Sequence, residues 1–263
     1  MSTDSTLRIG LILPDVLGTY GDDGNALVLR QRARARNIDA EIVPIRLGEA
    51  VPDSLDIYAI GGGEDVAQSI AAEHLLADGG LARAAASRRP ILAICAGFQI
   101  LGESFRAGGK EIDGLGLVDC KTDSLATRAI GEICTVPFGD VVKQPLTGFE
   151  NHMGRTVLGK DARPLGTVVR GVGNEGPEVQ PGEDIAKLKA AGGAEGAVQD
   201  SIICTYLHGP VLARNPELAD VLLARAMGVE LTELAAIDLP EFAVVDKLRD
   251  ERIHSKPRPK SER

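Results

Sequence analysis

The stretch PILAICAGFQILG, from Pro90 to Gly102, constrains this chain more tightly than any other. Pro90 to Ile94 is a short apolar run opened by a proline, which reads as a buried, parallel strand. Phe98 to Leu101 reads as the first turns of a helix. Only Cys95, Ala96 and Gly97 lie between them. A strand that turns into a helix so abruptly needs small neighbours, because the backbone must bend through strained dihedrals. Such a turn lifts one side chain above the end of a sheet and aims a helix N-terminus at it. The helix dipole and its free N–H groups then favour a thiolate over a thiol. By itself, a lone cysteine in an apolar strand is more often core. The rest of the chain has to decide.

Leu7–Leu13 (LRIGLIL) reads as a first buried strand, followed by a Gly- and Asp-rich loop from Pro14 that ends in Gly21-Asp22-Asp23-Gly24-Asn25. A helix is expected over Ala26–Arg36 and a second strand over Ala40–Ile45, with Pro44 marking an edge or a strand end. Leu55–Ile60 reads as a third strand running straight into Gly61-Gly62-Gly63-Glu64-Asp65. Ala71–Ser87 reads as helix, broken near Gly79-Gly80. Strands alternating with helices imply an α/β fold: a mostly parallel central sheet covered by helices on both faces. Ligands of such sheets bind beyond the C-terminal strand ends, where the Gly61–Gly63 loop and Cys95 both lie.

After Gly102 the pattern changes. Leu115–Asp119, Ile130–Pro137 and Asp140–Val142 read as short strands, Gly148–Thr156 as a polar loop, and Leu165–Val169 as another strand. Gly171–Gly196 reads as a surface excursion. Ala197–Gln199 and Ser201–Leu207 read as a hairpin leading to His208-Gly209-Pro210. A helix is expected over Asn215–Met227, capped by Asn215 with Pro216 at its first position, and a further segment over Leu231–Arg252. The simplest division is one domain over 1–253 and a basic, Pro-containing tail over 254–263 with the composition of disorder.

A formal charge of −9 argues against a nucleic-acid binder. Aromatics at 3%, with no tryptophan, leave no base-stacking platform. The cysteines at 95, 120, 134 and 204 form no CxxC pair, so no zinc ribbon or other metal site is expected. No GxxxxGK[ST] occurs, so no nucleotide cofactor is expected in this chain. The N-terminus has no signal-peptide pattern and no apolar run could span a bilayer. A reducing cytoplasm, with free thiols, is the compartment expected from these features.

Cys95 offers a thiolate. His208, at a strand end just before Gly-Pro, can leave the sheet edge and reach a thiol on a neighbouring strand. Gly61–Gly63 offer backbone N–H groups unobstructed by side chains, and the Ala96 N–H follows the nucleophile. Nucleophile, general base and an oxyanion hole from Ala96 with Gly62 or Gly63 are the parts of acyl transfer.

Four segments, in order, carry a resemblance to class I, triad-type glutamine amidotransferases. They are Ile60-Gly61-Gly62-Gly63-Glu64-Asp65, the Cys95 elbow through Gly102, Gly148-Phe-Glu-Asn-His-Met-Gly154, and Thr205-Tyr206-Leu207-His208-Gly209-Pro210. The last two resemble the cobyric-acid-synthase-like branch; the free-standing chain, with its early loop Thr19-Tyr20-Gly21-Asp22-Asp23-Gly24-Asn25, resembles within it the glutaminase subunits of lipid II-amidating enzymes. The resemblance implies L-glutamine as substrate, Cys95 and His208 as catalytic pair, and Gln99 as a substrate contact one helical turn after the cysteine. Arg128, after the elbow, is a candidate for the glutamine α-carboxylate, since a guanidinium pairs bidentately with a carboxylate, and the resemblance makes His152 a residue that shapes the site. It also implies a heterodimer with a Mur-ligase-like (MurT-type) partner. There ATP would activate the D-glutamate α-carboxyl of the stem peptide for amidation to D-isoglutamine. The competing readings are a glutaminase for cobyric or cobyrinic acid amidation and a non-catalytic binding subunit. One departure stands out. The wider class has Glu two residues after its histidine, and here that position is Pro210. The acceptor that orients His208 is therefore expected from elsewhere in this chain or from the partner, and a carboxylate of the partner chain is the hypothesis.

Overall fold

The computed structural model describes residues 6–175 and 193–254. The residues before Thr6, most of the Gly171–Gly196 stretch and the tail after His254 lie outside that range.

Four strands open the fold: β1 (Leu7–Ile12), β2 (Ala40–Ile45), β3 (Ile57–Ile60) and β4 (Ile91–Ile94). They pair in parallel in the order β4-β3-β1-β2. The connecting helices are α1 (Gly24–Arg34), α2 (Asp65–Asp78) and α3 (Gly80–Ala86). Gly79 separates α2 from α3 with φ 67°, and its N–H bonds to Leu75 O at 3.1 Å. A side chain there would be strained, which is why the helical pattern breaks at this glycine. β4 runs through Cys95 into the short helix α4 (Ala96–Leu101).

The chain then leaves the first sheet to build a second. It comprises β5 (Ser104–Ala107), β6 (Lys110–Asp113), β7 (Cys120–Pro137), β8 (Leu146–Leu158), β9 (Gly166–Arg170) and β10 (Ala194–Glu195). Only afterwards do β11 (Ala197–Gln199) and β12 (Ile202–Thr205) return to complete the first sheet as β11-β12-β4-β3-β1-β2. β12 lies parallel to β4, with Thr205 opposite Ile94, and β11 caps the edge antiparallel. The helices α5 (Val211–Arg214), α6 (Pro216–Met227) and α7 (Pro240–His254) follow. Arg32 of α1 grips Asp220 of α6 with two bonds of 2.7 Å, and Arg36 adds a third at 2.9 Å. The pattern is the expected α/β one. β3, β4 and β12 are buried along their whole length, and each buried Ile or Leu contributes about 1.5–3 kcal/mol.

The second sheet departs from expectation. Leu115–Asp119 and Asp140–Val142 form no strand, and the segment expected to begin at Ile130 is part of the long β7. Gly148–Thr156, read as a loop, lies inside β8, paired to β7 on either side of a register shift between Ser124 and Ala129. The reason is chemical. β8 alternates buried and exposed residues, but its buried set includes Glu150, His152, Gly154 and Thr156. A strand whose inward face is polar carries no hydrophobic alternation to read. Asn215 stands where a helix cap was expected, yet makes no capping bond. Its amide pairs instead with the Thr147 backbone, at 2.9 Å and 2.8 Å, tying α6 to β8.

Candidate active site

Cys95 closes β4 with φ 52° and ψ −105°, a strained conformation for any residue with a Cβ. Its N–H is held by Thr205 O at 2.9 Å, so the elbow is pinned to the end of β12. Three residues beyond Thr205 lies His208, which is 4% exposed. Its N–H donates to Phe149 O at 2.9 Å and its carbonyl accepts from Phe149 N–H at 3.1 Å. The second sheet thus grips the backbone of the histidine while the first sheet carries it.

The imidazole Nδ1 meets Asp22, 3.0 Å from Oδ2 and 3.2 Å from Oδ1. Asp22 is buried and also accepts the Gly62 N–H at 3.0 Å. Here the structure corrects the expected source of the orienting group: the carboxylate belongs to this chain, not to a partner. Pro210, which occupies the position of the usual glutamate, packs against Gly24, two residues after Asp22. Asn25 Oδ1 accepts the Leu212 N–H at 3.0 Å and locks the same loop to the segment after the histidine. The fold has replaced an acid on the histidine's strand end with one from the loop opposite. The signal in the sequence was an acidic pair flanked by glycines at the C-terminal end of β1, beside the ends of β3 and β4.

A Cβ on Gly62 would lie 3.1 Å from His208 Cε1, 3.2 Å from Asp22 Oδ2 and 3.3 Å from Cys95 Cβ. The three side chains therefore converge on one glycine. Burial pulls the His208 pKa down, but the Asp22 hydrogen bond and the Cys95 side chain outweigh it and push the pKa up to about 10. His208 Nε2 makes no hydrogen bond among the described residues, which leaves it for Cys95 and an incoming substrate. Of the two loop glycines considered for the oxyanion hole, Gly62 has its N–H committed to Asp22. Gly63 and Ala96 both line the adjoining cavity.

That cavity is about 260 Å³, below the roughly 300–1,000 Å³ of pockets for drug-sized ligands. Cys95 and Gln99 lie in its wall, as do Tyr20, Glu64 and Arg128. Arg128 is exposed at the mouth and donates to Asn151 Oδ1 at 2.8 Å. Gln99 is buried: its Oε1 accepts from Gln68 at 2.7 Å and its Nε2 donates to the Tyr206 hydroxyl at 3.1 Å. His152 stacks on Tyr206, ring centroids 3.7 Å apart, and forms part of the cavity floor. Tyr20 was not anticipated; its ring leans on His208 at 5.0 Å and its hydroxyl donates to Glu64. Among the described residues no cluster of His, Cys, Asp or Glu could hold a metal, and no helix is long and apolar enough to cross a membrane.

A strained cysteine, a histidine held by a carboxylate and a small polar cavity describe a thiol nucleophile with its base. The family model of the CobB/CobQ-like glutamine amidotransferase domain matches residues 8–216. The chain belongs to that family. This amidotransferase is 37% identical over 225 residues to the lipid II isoglutaminyl synthase (glutamine-hydrolysing) subunit GatD of Staphylococcus aureus, covering 84% of each chain. It is 34% identical to the GatD subunit of Streptococcus pneumoniae, covering 84% of this chain and 80% of that one. Among solved structures it resembles a glutamine amidotransferase from Thermotoga maritima, with TM-score 0.51 and 14% identity over 95% of this chain and all of the other. At that identity the likeness speaks for the fold alone.

Proposed function

We propose that this amidotransferase hydrolyses the side-chain amide of L-glutamine. The ammonia passes to a Mur-ligase-like partner that amidates the D-glutamate α-carboxyl of the lipid II stem peptide. The observation that carries the reaction is the convergence of Cys95, His208 and Asp22 around Gly62. The relatives named as lipid II isoglutaminyl synthase subunits, matched over most of their length, support the pathway.

With its pKa raised, His208 rests as an imidazolium beside the Cys95 sulfur. The thiolate adds to the carboxamide carbon, forming the C–S bond and a tetrahedral oxyanion. The N–H groups of Ala96 and Gly63 receive that oxyanion. His208 gives its Nε2 proton to the departing nitrogen, the C–N bond breaks, and ammonia leaves a glutamyl thioester. Neutral His208 then takes a proton from water, whose oxygen attacks the thioester carbon. The C–S bond breaks, glutamate leaves, and thiolate and imidazolium are restored. Asp22 holds the imidazole so that Nε2 faces the sulfur throughout. Arg128 pairs with the α-carboxylate and Gln99 contacts the substrate. The ATP-dependent activation of the acceptor carboxyl belongs to the partner.

The test is glutamine-dependent ammonia release by the purified chain, alone and with a Mur-ligase-like partner, followed by mass analysis of lipid II. Ammonia with an unaltered lipid II would reduce the reading to a glutaminase of another amidation system. No ammonia under either condition would remove it.

A further inference from the structure

Glu195 ends β10 and is fully buried beside β12. Its Oε1 accepts two hydrogen bonds, from the Thr205 hydroxyl at 2.6 Å and from the Tyr206 N–H at 2.8 Å. The Thr205 oxygen in turn accepts the Leu207 N–H at 3.1 Å. These three residues lead directly into His208. The turn that aims the imidazole is thus held on one side by the Phe149 backbone and on the other by a single carboxyl group.

The other oxygen, Oε2, has no hydrogen-bond partner among the described residues. A buried carboxylate with one bare oxygen is costly. As a carboxylic acid, the group puts its proton on Oε2 and leaves Oε1 to accept both bonds. Burial pushes the pKa up to about 8, against the pull of those two bonds, and Glu150 adds to the rise. The surroundings are acidic or neutral. β8 contributes Glu150 and, next to it, His152, whose Nε2 is 3.9 Å from the Glu150 carboxylate. β12 contributes the Cys204 thiol, and the turn after it the Tyr206 phenol, both raised first by burial. Among the described residues, no cation is among the groups acting on Glu195.

We propose that Glu195, kept as a neutral acid, is a positioning residue for His208: it fixes the Thr205–Leu207 turn so that the imidazole meets Cys95. This rests on the glutaminase reading, but its geometry can be probed without it. Ionisation of Glu195 would tighten the two bonds to Oε1 but set a buried charge against Glu150 with no counter-charge among the described residues; the turn should then shift, and turnover should fall on the alkaline side.

Two variants of the full chain, assayed with its partner if activity requires one, decide the matter. Glu195→Gln is neutral and keeps an oxygen acceptor; Glu195→Ala keeps neither the acceptor nor the shape. Two quantities are measured from pH 6 to 10: kcat and KM for glutamine, and the rate at which iodoacetamide alkylates Cys95 in substrate-free protein, read by peptide mapping. We expect Glu195→Gln to keep kcat within about 3-fold at neutral pH and to lack the alkaline fall centred near 8. Glu195→Ala should lose ~10- to 100-fold in kcat with little change in KM, and its Cys95 should alkylate more slowly. A glutamine variant as impaired as the alanine one, or an alkaline midpoint shared by wild type and Glu195→Gln, would overturn the proposal. Should the alanine variant fail to fold, the glutamine pH profile still decides. If wild type releases no ammonia while Cys95 alkylation still depends on Glu195, the glutaminase reading falls and the positioning role stands. If the alkylation rates do not respond either, the positioning role falls as well.

Discussion

The two sheets bury their strands by different means. In the first, β3, β4 and β12 are buried throughout with almost no polar side chain. The backbone ladder is the main hydrogen-bond system there, and it holds the strand ends rigidly. In the second, β8 buries a face that must satisfy itself. Thr156 bonds to Tyr206 at 2.6 Å and to Thr122 at 2.8 Å, while Gln99 links Tyr206 to Gln68. Glu150 accepts the N–H groups of Val172 and Gly173 at 2.8 and 2.9 Å. The apolar sheet places the reacting atoms. The polar one supplies the cavity floor and rim, and grips the histidine. An unreactive core makes a stiff frame, and a hydrogen-bonded core makes a surface that an amino acid can be read against.

The sharpest break of the apolar frame is at its nucleophile. Cys95→Ser should abolish ammonia release, by at least ~10⁴-fold, while circular dichroism and the unfolding midpoint stay close to wild type. The buried Cys120, Cys134 and Cys204 should each tolerate serine or alanine far better in the same assay.

Next in size is the loop acid. Asp22→Asn preserves the shape but removes the charge that raises the His208 pKa, and kcat should fall by ~10²–10⁴. The same variant carries a stability signature. A histidine whose folded pKa is raised adds stability that is complete below about 6.5 and is lost as pH climbs to about 10. Wild type should therefore lose more stability than Asp22→Asn between those limits, as measured by urea unfolding at a series of pH values. Equal losses would detach Asp22 from the His208 proton.

At the rim of the polar sheet, Arg128→Ala should raise KM for glutamine by ~10- to 150-fold, for a charge-assisted pair of about 1.5–3 kcal/mol. Its kcat at saturation should change little. A fall in kcat at constant KM would move Arg128 from binding into the chemistry.

The smallest effect tests the floor. Thr156→Val keeps the volume but strips the Tyr206 hydroxyl of its 2.6 Å partner, and should cost ~1–3 kcal/mol in unfolding free energy. Ile60→Val, in the apolar sheet, should cost only ~0.5–1.5 kcal/mol. If the valine on β8 were the milder change, the polar floor would not be a self-satisfied network.

This contrast also governs what could be read before folding. Pro90–Gly102 announced strand, elbow and helix because its apolar run and small turn residues leave few alternatives. His208 was legible from its place at a strand end. Gln99, found in the cavity wall, had been reached only through family resemblance, and Arg128, found at its mouth, from the need for a cation at the substrate's carboxylate. The strand containing Glu150, His152 and Thr156 was not legible, because its periodicity is written in polar residues that also suit a loop. Asp22 was missed for another reason. Its partner in space is 186 residues away, and no local pattern marks which of two adjacent aspartates turns inward. Gly62 was read as one of two possible oxyanion donors, and its N–H is bonded to Asp22 instead.

The order of the first sheet has a consequence in time. β12 docks beside β4, yet the whole second sheet is synthesised between them. Cys95 and Asp22 emerge early from a ribosome, and His208 comes only after the excursion is complete. Closing so long a loop is among the slower steps open to a folding chain. A nascent or partly folded molecule can therefore present the thiol and its elbow without the imidazole that would arm them. The last strand of the sheet to be synthesised leads directly into the base, so Cys95 and His208 can meet only once that strand is in place.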